Sequence, residues 1–269
     1  MDQTQVCKSC GNTFSGSFCN VCGEKVLRAQ DQSFKNFLHA FIKAITLADS
    51  PLLKSMWLVV SKPGFLTKEF TEGRRLKYLK PLSLFLILNL AYFFFPVIQL
   101  FNASLKTQLL TPFGHWYGTI ISHKIVSLGI DLASFTLIYN LKTVGFAKLM
   151  VMVFVVIASL PLNFLYAKSK RYFTDHIDYT VELACFNLLI NAILLTIVAP
   201  LGIGRLLNEY TLTGIFICTN LYFLIRSGRE YYADKKAGVV IKSVVMILFL
   251  KLALEIYRAI LFFVTIGSL

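Results

Sequence analysis

The chain has 269 residues, of which 56% are hydrophobic and only 15% charged, with 27 Lys and Arg against 14 Asp and Glu for a net charge of +13. A mean hydropathy of +0.66, carried in long uninterrupted apolar runs, excludes an ordinary soluble domain, which carries about 25% charged residues. The positive charge does not imply nucleic acid, because most cations flank apolar runs and twelve of the 27 precede Leu82, as the positive-inside rule and attraction to anionic lipid would have it.

Met1 to Gln5 is polar and leads straight into a cysteine motif, so no secretory signal peptide is expected there. Residues 1–25 read as one unit. Cys7-x-x-Cys10 and Cys19-x-x-Cys22 each precede a glycine, Gly11 and Gly23. Such a pair of knuckles supplies the four sulfurs of a tetrahedral Zn²⁺ site, closed to substrate and therefore structural. A reducing compartment disfavours disulfides. The segment is too short for a thioredoxin-like unit. The folded knuckle is expected to dock on a protein partner or to mediate self-association; nucleic acid is not expected, since no aromatic-basic groove accompanies Lys8, Lys25 and Arg28.

Residues 26–81 read as cytoplasmic, interfacial amphipathic helices. Ser33–Leu47 carries Phe34, Phe37, Leu38, Phe41, Ile42 and Ile45 on one face. Ser50-Pro51 starts a second helix with Leu52, Leu53, Met56, Trp57 and Val60 on its apolar side, ended by Lys62-Pro63-Gly64. The cluster Arg74, Arg75, Lys77, Tyr78 and Lys80 is placed at the membrane interface, as an anchor or a lipid-headgroup site.

Residues 82–269 read as five spans, near 82–101, 146–167, 177–199, 211–225 and 240–267. Lys168, Lys170 and Arg171, and then Arg226, Arg229, Lys235 and Lys236, fall in alternate loops. This sets the N-terminus in the cytoplasm and the C-terminus outside a bacterial inner membrane. Ile125 to Leu141 is apolar, but Asp131 interrupts it and a sixth span would throw both basic loops outside. A re-entrant or interfacial helix is expected instead. Asp175, His176, Asp178 and Glu182 open span three, while Lys251, Glu255 and Arg258 follow one stripe of span five. Charges at such depth face a partner or a watery path. Pairing between groups as structural glue is favoured over a conduit, with Lys251 bonding Glu255 on its own helix. No catalytic constellation is present in the sequence: no serine elbow, HExxH or carboxylate cluster.

Three places resemble an uncharacterised bacterial family of multi-pass membrane proteins with an N-terminal zinc ribbon, grouped as a domain of unknown function. They are Gly16-Ser17-Phe18-Cys19; Pro63-Gly64 followed by Glu69, Gly73-Arg74-Arg75, Tyr78 and Pro81; and Tyr172, Asp175, His176 and Phe186. The family carries further histidine where this chain has Glu182 and Ala184, which counts against a metal site inside the membrane. The resemblance implies a topology and a zinc ribbon, and no activity. The fold expected is thus an all-α membrane protein behind a zinc ribbon. Its function reads as a non-enzymatic scaffold, assembly or regulatory protein, or alternatively a small transporter or channel using the polar stripes of spans three and five.

Overall fold

A computed structural model describes residues 4–23, 51–94, 101–111, 113–198 and 209–269. The expected helix Ser33–Leu47, the end of the first expected span and the loop 200–208 lie outside the described residues. The chain divides into two compact units, residues 1–53 and 54–269.

The first unit holds a two-stranded antiparallel hairpin, β1 (Thr4–Val6) and β2 (Thr13–Ser15), with Thr4 opposite Ser15 and Val6 opposite Thr13. Among the described residues its core is Cys7, Phe14 and Cys19.

The rest is helical. α1 spans Pro51–Ser61 and α2 Phe65–Thr71, joined by a tight turn at Lys62-Pro63-Gly64. The helix stops at the Pro63-Gly64 signal, but its packed face is not the expected one. Ser55 and Val59 are buried, while Trp57, on the expected apolar side, is 70% exposed. The Ser55 hydroxyl accepts from the Leu79 N–H at 2.9 Å, so a polar contact to the following loop chooses the inward face. Trp57 facing outward suits a helix at a membrane interface.

α3 spans Pro81–Phe94, α4 Leu105–Leu109 and α5 Gly114–Leu128. Then comes α6, Leu132–Leu165, of 34 residues. The apolar stretch 125–141 is therefore not one continuous helix. It is split between the end of α5 and the start of α6, and the helix expected from 146 begins at 132. Asp131 is the reason. It sits outside the helix in an extended conformation and its carboxylate accepts from the Ala133 and Ser134 N–H groups at 3.0 and 3.3 Å, an N-cap rather than a charge stranded in a span. Gly129, at φ 62°, ends α5 two residues earlier.

α7 (Phe173–Asn187) runs through a π-helical turn, Leu188–Leu194, into α8 (Leu195–Val198). α9 spans Glu209–Glu230 and α10 Lys236–Ser268. Among the described residues three helices are long and apolar enough to cross a membrane: Leu132–Leu165, Phe173–Ile197 and Ala237–Ser268. α6 and α10 pack antiparallel along their length. Tyr257 donates to the Ala147 carbonyl at 2.9 Å in the middle, and Lys142 donates to the Ser268 carbonyl at 2.6 Å at one end. At that end α4 and α5 close over them around Leu105, Tyr117, Ile121, Phe135, Tyr139 and Phe262. Outward-facing Leu137, Leu149, Phe164, Val244, Leu248 and Leu252 are exposed, as a helix with a second apolar face requires of a lipid-like surroundings.

Candidate functional site

In the first unit the cysteine turns repeat one geometry. Gly11 N–H donates to the Cys7 carbonyl and Gly23 N–H to the Cys19 carbonyl, both at 2.9 Å, with Gly11 and Gly23 at φ 73° and 76°. Only glycine takes that left-handed bend without cost, and it turns both thiols of each pair inward. Cys7 and Cys22 sulfurs lie 3.4 Å apart and Cys10 and Cys19 3.6 Å apart, all four within 4.8 Å of one another. These distances are far beyond the ~2.05 Å of a disulfide. They approach the ~3.8 Å edge of a tetrahedron with ~2.3 Å metal–sulfur bonds. The backbone N–H of Cys22 draws the Cys19 thiol down to about 6, towards the thiolate a metal needs. The four sulfurs can hold a metal ion.

In the second unit the polar groups of α7 meet α2 and α9. Glu182 is fully buried. Gly64 N–H donates to its Oε1 at 2.8 Å and Thr67 N–H to its Oε2 at 2.7 Å, with the Thr67 hydroxyl donating to the same oxygen. The first N–H groups of a helix have no partner within it. Here a carboxylate from another helix supplies one, and the α1–α2 turn is locked to α7. Thr67 also donates to the Asp178 carbonyl at 3.4 Å. Behind the turn, Gly64 is at φ 84°, and a Cβ there would lie 2.8 Å from Ser227 Cβ and 2.9 Å from its Cα. We expect Gly64→Ala to cost roughly 2–4 kcal/mol, from left-handed strain plus the clash with α9. Thermal unfolding in detergent would read this, and an unchanged midpoint would show that the turn does not seat on Ser227.

Around this seat Tyr179 and Ser227 hydroxyls bond at 2.6 Å, and His176 Nδ1 shares a hydrogen bond with the Tyr232 hydroxyl at 2.7 Å. Tyr166 stacks on Tyr232 at 3.7 Å, and Arg171 lies over Tyr231. Asp175 accepts from the Tyr172 N–H at 3.0 Å, at the start of α7. Further along, Asn187 exchanges hydrogen bonds with Asn220 at 2.9 Å in both directions, and Asn191 bonds Asn187 and Thr219. The π-helical turn begins at Leu188, between Asn187 and Asn191. An enclosed cavity of about 20 Å³ borders Asn187 and Asn220, space for about one water.

The two charged stripes do not meet. Lys251 bonds Glu255 at 2.6 Å on α10 itself, and Arg258 approaches the same carboxylate at 3.7 Å. In the basic cluster, Arg74 is held by Glu69 and Glu72 at 2.5 Å each, Arg75 lies over the Phe70 ring, and Lys77 lies over Tyr78. Lys80 is exposed. Sequence reasoning singled out Glu182, read Gly64 as a helix stop and a point of family resemblance, and missed Thr67 and Ser227. A carboxylate deep in an apolar helix demands donors, and the N-terminus beginning at Gly64 was the nearest unspent set.

A family described as a protein of unknown function (DUF3667) matches residues 49–93, the segment from the start of α1 through α3. No curated protein and no solved structure matches the chain. The matched segment contains the Gly64–Thr67 turn that seats on Glu182.

Proposed function

We propose that the chain is a non-enzymatic adaptor of the bacterial inner membrane, with five spans, its N-terminus in the cytoplasm and its C-terminus outside. Its cysteine knuckle, organised by one structural Zn²⁺, binds a partner protein or a second copy. The observation that supports this reading is the four-sulfur cluster. Protein thiolates would fill every position of a tetrahedral ion, so the metal has nowhere to bind or polarise a substrate. Zinc there would act only to fold a module too small to fold on its own, and a folded module presents a surface. The buried Glu182 supports the same reading, because its oxygens are spent on Gly64 and Thr67 rather than turned to a passing ion.

The test is crosslinking from native membranes, comparing wild type with Cys19→Ser at matched expression. Capture by the wild type alone is expected. A partner captured equally well by the variant would sink the adaptor reading. A conduit is the second reading, and the π-helical turn beside the Asn187–Asn220 pair favours it, since such turns often occur at functional sites. Solute or ion flux in liposomes that falls in Asn220→Leu, with the fold intact, would establish it.

A further inference from the structure

The same end of the second unit carries a basin that the Glu182 seat does not use. It is open, about 430 Å³ in volume, and lined by Lys62, Pro63, Phe65, Arg226, Arg229 and Glu230. Its cations come from two elements: Lys62 from the α1–α2 turn, and Arg226 and Arg229 from one turn of α9. The turn is held against α9, since Gly64 touches Ser227 and the Tyr222 hydroxyl donates to the Val60 carbonyl at 3.1 Å. The one acid of the rim, Glu230, is paired with Lys68 at 2.9 Å. Among the described residues neither Arg226 nor Arg229 has an acidic partner, and both are exposed. A basic last turn complements the helix dipole of α9, but that does not account for a third cation brought by another element into one concave site.

The basin also has a definite place along an apolar helix. Ser227 bonds Tyr179, which lies six residues, about 9 Å, inside the Phe173 end of an apolar helix. Tyr166, Tyr231 and Tyr232 cluster nearby, as aromatic side chains do at a membrane boundary. A guanidinium presents a planar fork of donors matched to phosphate oxygens, and the ammonium of Lys62 adds a point charge.

We propose that Lys62, Arg226 and Arg229 form a binding site for a phosphoryl anion, of the kind an anionic phospholipid headgroup presents at that depth. The site is independent of the adaptor reading and of the cysteine knuckle. The test uses the full chain in detergent with short-chain phosphatidylglycerol, phosphatidylcholine or inorganic phosphate as probes, read by native mass spectrometry and by thermal shift. Phosphatidylglycerol is expected to be retained and to raise the midpoint, and phosphatidylcholine to do neither. Arg226→Gln with Arg229→Gln should weaken retention roughly tenfold or more, while Lys168→Gln with Lys170→Gln should leave it as in wild type. Inorganic phosphate matching the lipid would support the same site with a soluble phosphate as its source. Should the double variant fail to fold, Lys62→Gln alone should still weaken retention. A folded double variant that binds both anions like wild type, or a wild type that binds neither, would overturn the proposal.

Discussion

Glu182→Ala is expected to cost about 3–5 kcal/mol, through the buried donors it leaves without an acceptor. The loss is not of one contact. Gly64 N–H, Thr67 N–H and the Thr67 hydroxyl would all face the alanine methyl, and each buried donor without an acceptor costs about 1–3 kcal/mol before relaxation. Relaxation would consist of α2 lifting from α7. That should lower the thermal midpoint in detergent by on the order of 10 °C. Glu182→Gln should fall between, since an amide keeps one acceptor oxygen but turns an NH₂ towards a donor. A wild-type midpoint in the alanine variant would show that the carboxylate does not hold the turn.

Cys19→Ser, or removal of metal by a strong chelator, is expected to unfold residues 4–23 while leaving the helices in place. The hairpin has three residues in each strand and a core of Cys7, Phe14 and Cys19. Two of those three are ligands in the proposed site. So little apolar area is buried that the metal–thiolate bonds would supply the folding free energy. Elemental analysis of the purified chain should give about one zinc per molecule, and none in the variant. Amide signals of the hairpin should collapse together on chelation and return with zinc. A hairpin that keeps its dispersion without metal would remove zinc from the account.

How much of this could be read from the sequence depends on how far apart the partners lie. The cysteine cluster was legible because its four ligands and both glycines sit within seventeen residues, Cys7 to Gly23, and spacing alone states the chemistry. The ladder of Lys251, Glu255 and Arg258 was legible for the same reason, being set by one helical turn after another. The end of α1 was legible from Pro63-Gly64, yet its packed face was not, because the serine that points inward is chosen by a loop N–H at Leu79. Asp131 misled in the opposite way. Within an apolar run a lone acid reads as a breach in a span, but in the structure it caps the helix that follows and so belongs to a boundary. The Glu182 seat was out of reach. The residue was flagged by its depth, while its donors are backbone groups of another helix, and no hydropathy or charge pattern marks an N–H.

That seat also imposes a schedule on the growing chain. Gly64 and Glu182 are 118 residues apart, which at roughly 5–20 residues per second means about 6–24 s of synthesis between them. Throughout that interval the turn carrying Gly64 and Thr67 has been made and its acceptor has not. Until α7 is made, that turn has no Glu182 to close on. A chain that stops short of Glu182 therefore keeps this turn unlatched, however complete its first helices are.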